Sequence, residues 1–372
     1  MSLFECFEQV IDPRKSSGLR NPLPALLCMV TMGYLSGYSG YRGIGTFMKG
    51  NKEAFQEMFD LKHPPIGKTQ LRTVLQKLDF TSINKAFFRW MNTFVAIEQG
   101  EWLSGDGKAL ASTITDAHGN AQEYELMVRL FSQKLGIVTH ITTTKSKATE
   151  LKAMQKLLTT LELKGVIITL DALHCQKKTA SLIVDSDNDY LLEVKGNQKT
   201  LLKQVKDIVQ ANDPIDTCLT SEKNRGRQEN RYHEIYISNE QIPDGWRGVQ
   251  RVIYVHRYGY RPDKKTDNGQ YSEQHYYISS HPFKDASIVA QGIRQHWGIE
   301  NKIHYVKDTH FKEDDNGIRH NHAAAILSIF QDIAINVYRC KGFNSLKTAT
   351  TFFANKVNEL FGFLKAKHIN DL

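Results

Sequence analysis

Residues 166–171 read Val-Ile-Ile-Thr-Leu-Asp, a nearly continuous apolar run that ends on a carboxylate. Such a short run is typical of a strand that is buried on both faces, as in a parallel sheet. A second run, Trp102-Leu103-Ser104-Gly105-Asp106, also ends on an aspartate. Because the carboxyl ends of adjacent parallel strands meet at one edge of a sheet, Asp106 and Asp171 can converge on one site. The alternative is that each aspartate only caps the helix that follows its strand.

The segments around these two strands alternate between strand and helix patterns. The further elements predicted from apolar periodicity are strands at 124–132 and 136–144, helices at 148–161 and 176–184, and a strand at 190–194. The resulting order is three strands, helix, strand, helix, strand. This is the order of the ribonuclease H-like α/β fold, which we therefore expect for the core.

Shifts in composition divide the chain into five expected segments. The uncharged stretch from Asn21 to Tyr41 contains Pro22, Pro24 and three glycines, which favours a buried helix at about 25–35 over a membrane span. The expected segments are an N-terminal helical domain (1–95), the first part of the ribonuclease H-like core (100–198), a β-rich insertion (199–283), core helices carrying Glu300 (284–340) and a C-terminal helical tail (341–372).

The N-terminal helical domain is a candidate for DNA binding. The turn His63-Pro64-Pro65-Ile66-Gly67 separates two helical segments, and the second, 68–78, carries Lys68, Arg72 and Lys77. This pattern fits a helix-turn-helix whose second helix enters a DNA groove. It equally fits a pair of helices within an ordinary helical bundle. The string Gly67-Lys68-Thr69 ends like a phosphate-binding loop, but Lys62 stands where that motif requires glycine, so we expect no nucleotide cofactor.

The overall charge favours a polyanionic partner. The chain has 372 residues, with 48 Lys and Arg against 40 Asp and Glu, which gives a net charge of +8. The five cysteines include no CxxC pair, so neither a disulfide framework nor a zinc site is encoded. The N-terminal sequence MSLFECFEQVID lacks the basic start and apolar core of a secretion signal. These features predict a cytoplasmic, nucleoid-associated protein.

Glu300 is the third acidic candidate. In a continuous helix from 287 to 308, residues Ile293, Trp297, Glu300, His304 and Lys307 would share one stripe, where an unpaired carboxylate would be costly and a cation is expected nearby. Three converging carboxylates in a basic protein fit metal-assisted attack on a phosphodiester, with two Mg²⁺ or Mn²⁺ ions about 3.5–4 Å apart. A rival source of the third carboxylate is the cluster Asp308, Glu313, Asp314 and Asp315.

Four strings carry a resemblance to a known family: Gly105-Asp106-Gly107-Lys108, Leu170-Asp171-Ala172 with Gln176, Lys195-Gly196-Asn197-Gln198, and His296-Trp297-Gly298-Ile299-Glu300-Asn301. From about residue 4 to residue 340, the chain resembles the DDE transposases of bacterial insertion sequences, in particular the H-repeat-associated group. The resemblance implies that Asp106, Asp171 and Glu300 form the catalytic, metal-binding triad. It also implies a β-rich insertion between Asp171 and Glu300.

The resemblance also bears on DNA contacts. Lys307 stands seven residues after Glu300, as in related transposases, but their Arg and Tyr positions hold His296 and Ile293, with Arg294 out of register. Residues 226–231 resemble a family GR-x-E-x-R string, and its alternating arginines fit either a DNA-facing strand or a solvated edge strand. For Trp297, core packing is favoured over base stacking. The candidate DNA-binding residues are Lys108, Lys195, Gln198, Arg225, Arg227, Arg231, Arg294, Asn301 and Lys307.

Together, these features predict a DDE transposase that cleaves double-stranded DNA at insertion-sequence ends and transfers the freed strand into target DNA. Two element ends must be brought together, so a homo-oligomer on DNA is expected, with no membrane partner. Two alternatives remain at this point. One is an inactive DNA-binding protein that acts as a repressor; the other is a ribonuclease H-like nuclease without strand transfer.

Overall fold

A computed structural model describes residues 1–15, 19–114, 124–224, 226–238, 242, 244–262, 267–319, 322–354 and 356–371. It contains thirteen α-helices and nine β-strands in these ranges. The helices are α1 (Leu3–Glu8), α2 (Leu23–Leu35), α3 (Gly40–Gly50), α4 (Lys52–Met58), α5 (Lys68–Lys77), α6 (Phe80–Phe94), α7 (Glu150–Thr159), α8 (Lys177–Asp185), α9 (Lys199–Ala211), α10 (Ala286–His296), α11 (Ala323–Cys340), α12 (Leu346–Phe353) and α13 (Val357–Lys365). The strands are β1 (Trp102–Ala109), β2 (Leu126–Ser132), β3 (Ile137–Thr144), β4 (Ile167–Leu170), β5 (Asp189–Val194), β6 (Asp216–Asn224), β7 (Arg227–Ile237), β8 (Arg251–Tyr260) and β9 (Gln270–Ser279).

The chain forms two compact units whose segments alternate along the sequence. The first unit contains Met1–Ile97, Gly107–Ala153 and Ile299–Leu372, and the second contains Glu98–Asp106 and Met154–Gly298. Strand β1 therefore begins in the second unit, and its last three residues belong to the first. Among the described helices, none is long and apolar enough to cross a membrane.

The first unit is built around α11. Sixteen of its residues, from Ala323 to Tyr338, are buried, because the helix is apolar on nearly every face. It packs against α2, α6 and β3. The polar side chain of Asn336 fastens it to β3, accepting from Val138 N at 2.9 Å and donating to Val138 O at 2.7 Å. Helix α2 is almost entirely buried as well, which confirms the helix predicted at 25–35.

The second unit contains seven consecutive strands of a mixed sheet, in the order β1-β4-β5-β9-β8-β7-β6. Strands β1, β4 and β5 are parallel, whereas β5 to β6 along the sheet are joined by antiparallel pairs. Strand β4 pairs on both sides and all four of its residues are buried. This placement explains why the run at 166–171 is apolar without alternation.

Two helices cover opposite faces of the antiparallel half. Helix α10 buries Val289 and Ile293 in the same cluster as Ile253 of β8. On the other face, Lys206 of α9 lies over the ring of Tyr276, 5.5 Å from its centroid. Helix α9 was not expected, because residues 199–283 were predicted to form a β-rich insertion of polar, strand-like segments. Residues 199–211 instead form a helix, in which Leu201, Val205 and Ile208 make a buried stripe.

The predicted helix at 287–308 was also wrong in part. Helix α10 ends at His296, and the chain then continues through two π-helical segments, Glu300–His304 and Lys307–Phe311. A π-helical turn contains an extra residue, so the expected single stripe of side chains is not maintained. Trp297, which was predicted to pack in the core, is instead 51% exposed.

Gly292 provides a test of the packing between α10 and β1 in the second unit. A β-carbon at this position would overlap the indole ring of Trp102. We therefore expect Gly292→Ala to lower the free energy of unfolding by about 1–3 kcal/mol through overpacking. Denaturant unfolding monitored by tryptophan fluorescence measures the change.

The matched control is Gly362→Ala in α13, where a β-carbon meets no atom within 4 Å. This change is expected to leave stability equal or higher, because alanine is the better helix former. A Gly292→Ala variant as stable as this control would contradict the close packing against Trp102.

Candidate active site

Asp106 and Asp171 lie side by side in the second unit. In the parallel pairing of β1 with β4, Gly105 stands opposite Leu170. Each aspartate is the next residue, so the two occupy neighbouring positions at the same edge, as the sequence indicated. Unlike the prediction, β1 does not end at Asp106 but continues to Ala109. Asp106 is therefore within a strand, and Asp171 immediately follows one.

Asp171 also has a local structural role. Its Oδ1 accepts from Leu173 N at 3.0 Å and so caps the short 3₁₀ turn Ala172–His174. Asp171 therefore does cap the turn that follows its strand, but this one hydrogen bond does not use up the carboxylate. The side chain is 48% exposed, which leaves it accessible to a ligand. His174 lies nearby, with its Nε2 4.0 Å from Asp171 Oδ1.

Two amides of the Lys195–Gln198 string support the turn that follows Asp171. Asn197 Nδ2 donates to Ala172 O at 2.7 Å, and Gln198 Nε2 donates to Cys175 O at 3.0 Å. Gln198 was predicted to contact DNA, but its amide nitrogen is engaged within the protein. Lys195 remains 57% exposed, with its ammonium 2.8 Å from Glu193 Oε2.

His296 was expected, from the resemblance described above, to stand at the arginine position of the family motif. Its Nδ1 is 2.7 Å from the hydroxyl of Thr169, two residues before Asp171. Burial lowers the pKa of His296, and the negative charge of Asp171 opposes this only in part. The imidazole is thus neutral at pH 7. It positions β4 without adding the positive charge that an arginine would bring.

Glu300 lies in the first unit, at the start of a π-helical segment. Its side chain is exposed, contrary to the expectation of a partly apolar environment. Solvent can hydrate an exposed carboxylate, so no paired cation is required there. π-Helical turns often occur at functional sites.

Lys307 is buried, and its ammonium is held entirely by protein groups. Its Nζ is 2.7 Å from Asp332 Oδ1 and donates to Ser328 O at 2.9 Å. Burial and the nearby Arg129 lower the pKa of Lys307 to about 8, although Asp332 and Glu313 oppose the shift. In this arrangement Lys307 cannot reach a phosphate, so its predicted DNA contact does not agree with its position.

Lys108, in the first unit, lies in a cluster of three carboxylates. Its Nζ contacts Asp308 and is 2.9 Å from Glu313 Oε2 and 3.4 Å from Asp314 Oδ1. Burial would lower the pKa of Lys108, but Glu313 and Asp308 raise it overall. The three carboxylates are close enough together to hold a metal ion. Because the ammonium of Lys108 already contacts all three carboxylates, this cluster is a weak rival for the third carboxylate.

The remaining DNA-contact candidates are Arg294, Arg231, Arg227, Asn301 and Arg225. Arg294 and Arg231 both bind Glu222, with Arg294 Nε 2.9 Å and Arg231 NH1 3.2 Å from its Oε1. Arg227 and Asn301 are exposed. Arg225 lies outside the described residues.

Glu229 is a structural residue that the sequence did not reveal as such. It is 4% exposed on β7 and accepts from Arg257 NH2 at 2.8 Å and from Tyr271 OH at 2.7 Å, while also contacting Arg231. Burial would raise its pKa, but these partners lower it to about 2. The signal was the central glutamate of the GR-x-E-x-R string, which binds the string's last arginine.

The depressed pKa of Glu229 predicts acid sensitivity. A carboxyl group with a lowered folded-state pKa stabilises the fold above its unfolded pKa of about 4.5, and this contribution is lost as pH falls towards 2. Between pH 5 and 2.5, the free energy of unfolding of Glu229→Gln should fall by about 2 kcal/mol less than that of wild type. Urea unfolding across this range measures it. The control is Glu57→Gln at an exposed position, which should show the same pH dependence of the unfolding free energy as wild type. A wild-type pH dependence for Glu229→Gln as well would argue against the ion cluster around Glu229.

The buried position of Lys307 predicts a stability defect. Lys307→Met leaves the fully buried Asp332 and Glu313 with one cation fewer, so the free energy of unfolding should fall by about 3–5 kcal/mol. Exposed Lys347→Met is the control, with an expected effect below about 0.5 kcal/mol. In a double-mutant cycle with Asp332→Asn, the double variant should lose less than the sum of the single losses. Additive losses would show that the two side chains do not interact.

Comparison with known proteins identifies the family. Residues 108–337 match the model of the transposase DDE domain, and residues 4–91 match the DDE_Tnp_1-associated model. The first match spans more than half of the chain, so the chain belongs to the DDE transposase domain family.

Several curated proteins are similar over most of their length. Putative transposase YncI of Escherichia coli O157:H7 is 31% identical over 349 residues, which is 91% of this chain and 88% of that protein. H repeat-associated putative transposase YhhI of Escherichia coli K12 is 28% identical, over 90% of this chain and 89% of its own. A solved structure titled as a piggyBac transposase synaptic complex with hairpin DNA has a TM-score of 0.49 at 10% identity, covering 98% of this chain and 80% of that one.

Proposed function

We propose that this protein is an active DDE transposase, in which Asp106, Asp171 and Glu300 hold two Mg²⁺ or Mn²⁺ ions. The observation that carries the proposal is the register of β1 with β4, which aligns Asp106 with Asp171. Family membership adds that such a pair belongs to a transposase domain. The chain order of strands and the parallel β1, β4 and β5 support a ribonuclease H-like core.

The donor chemistry of the aspartate pair fits these ions. Both side chains offer hard carboxylate oxygens, which Mg²⁺ and Mn²⁺ prefer, and Asp171 is half exposed. When bound, the ions would polarise the scissile phosphate and activate the attacking oxygen. The protein's own contribution is to fix the carboxylates. The β1–β4 pairing sets Asp106, and the amides of Asn197 and Gln198 hold the turn behind Asp171.

The reaction follows from this chemistry in two phosphodiester substitutions. In the first, water attacks a phosphodiester at the element end, and the bond to the leaving 3′-oxygen breaks to free a 3′-hydroxyl. In the second, that hydroxyl attacks a phosphodiester of target DNA and expels another 3′-oxygen. Two element ends have to be joined in one event, so we propose that the protein acts as a homo-oligomer on double-stranded DNA.

The test uses purified protein, DNA carrying its own flanking repeats, and Mg²⁺ or Mn²⁺. Wild type should yield cleaved ends and strand-transfer products, and Asp106→Asn, Asp171→Asn and Glu300→Gln should each lose at least about 1000-fold in rate, because each removes a ligand for a group that supplies several kcal/mol. Gel analysis of end-labelled DNA measures both steps.

Controls of the same chemistry are available on the surface. Asp187→Asn replaces an exposed aspartate whose positive φ of 59° asparagine tolerates, and Glu57→Gln replaces an exposed glutamate. Both should keep wild-type activity. Nicking without joining would indicate a nuclease, and binding without cleavage under either metal would indicate a DNA-binding repressor. Either result would overturn the proposal.

A further inference from the structure

A basic cleft in the first unit is lined by none of the residues assigned above to metal binding. It has a volume of about 890 Å³ and lies between α3, α5 and the segment from Phe311 to Arg319. Its exposed rim carries five cations, and none of the described residues that line it is acidic. The five are Arg42, Lys68, Arg72, Lys312 and Arg319. Unlike Lys108 and Lys307, they surround an open volume, and their charge is available to an anionic ligand.

The floor of the cleft contains polar atoms that lack partners. Gln331 is 2% exposed, and its Oε1 has no hydrogen-bond partner among the described residues. The buried hydroxyl of Tyr41 also has no hydrogen-bond partner among the described residues, and burial raises the pKa of Tyr41 to about 12. An unpaired buried acceptor costs about 1–3 kcal/mol. A ligand that offers an N–H group to Gln331 would remove this cost.

The geometry of α5 argues against groove reading. Lys68, Arg72 and Gln76 recur every four residues and so share one face, and all three line the cleft. A β-carbon on Gly45 of α3 would lie 2.9 Å from Lys68 Cβ, so glycine permits a close approach of the two helices. The basic face of α5 is thus a wall of a cleft. A recognition helix must instead project into a major groove about 12 Å wide.

The size of the cleft restricts its occupant. Its volume is that of a small-molecule pocket, about 300–1,000 Å³, and cannot admit a duplex. A single strand combines regularly spaced phosphates with bases that carry N–H donors. Single-strand sites typically join a positively charged groove with aromatic side chains. Here the half-buried Tyr41 lines the cleft, together with the buried rings of Tyr34 and Phe311.

We propose that this cleft binds one unpaired strand of DNA. The basic rim holds its phosphates, and one base enters to donate a hydrogen bond to Gln331 Oε1. The choice of DNA as the strand rests on the proposed function. The cleft differs from the metal site in that it binds DNA without acting on it.

The experiment measures binding of a labelled six-nucleotide dC oligonucleotide by fluorescence anisotropy, in EDTA so that no cleavage occurs. Arg42→Gln/Arg72→Gln should weaken binding at least tenfold and lower the slope of log K against log salt by about 1.4, since each single-strand phosphate contact contributes about 0.7. The control Lys62→Gln/Lys77→Gln removes the same charge from two exposed lysines that do not line the cleft. One of them, Lys77, lies on α5, as Arg72 does. The control variant should bind like wild type. Thermal unfolding verifies that both variants are folded.

A second probe tests the base. An abasic oligonucleotide of the same length should bind about tenfold more weakly than dC, equivalent to about 1.4 kcal/mol. Equal binding of the two oligonucleotides, equal losses in the two double variants, or no wild-type binding would each overturn the proposal.

The binding and cleavage experiments distinguish an incorrect assignment of the cleft from an incorrect proposed function. Asp106→Asn should bind the oligonucleotide like wild type while failing to cleave element ends. A wild type that binds the oligonucleotide but never cleaves contradicts only the transposase activity. A wild type that cleaves but does not bind it contradicts only the cleft.

Discussion

A charge inside a protein core must be paired, and this requirement joins distant segments of the first unit. Asp332 sits in the buried helix α11, where Arg129 of β2 approaches its Oδ2 to 3.1 Å. The same carboxylate holds Lys307, which also contacts Glu313, and Glu313 in turn binds Lys108. Charges of opposite sign therefore alternate from α11 to the end of β1. The network fixes the residues that follow both Asp106 and Glu300 along the chain.

Local sequence patterns predicted most of the elements but not their long-range relations. The apolar runs of β4 and β5 and the periodicity of α2 and α5 were sufficient, because burial on both faces or on one stripe leaves a direct pattern. Helix α9 was missed although its apolar residues had helical spacing, since the polar residues between them resembled the strands that follow. The π-helical turns after α10 had no local signal, because they depend on hydrogen-bond register.

At the candidate site, too, some features followed from local sequence and others depended on tertiary contacts. The neighbouring positions of Asp106 and Asp171 followed from strand topology, which the sequence expressed. The sequence did not show whether each basic residue is paired within the protein, because tertiary contacts determine the partner of a lysine. Lys108 meets Asp308 across 200 residues, and no motif distinguishes such a lysine from one that faces DNA. Lys68 and Arg72 were candidates from the sequence, but their grouping with Arg42, Lys312 and Arg319 around one cleft depends on tertiary contacts.

The alternation of the two units along the chain has a consequence during synthesis. The second unit ends at Gly298, so its last strand and helix leave the ribosome before α11 has been made. The first unit must wait for that helix, with apolar faces of α2 and α6 exposed in the meantime. A nascent chain in this state is prone to aggregation. Any gene copy shortened upstream of residue 323 would leave the first unit permanently without its central helix, and the loss would extend far beyond the deleted residues.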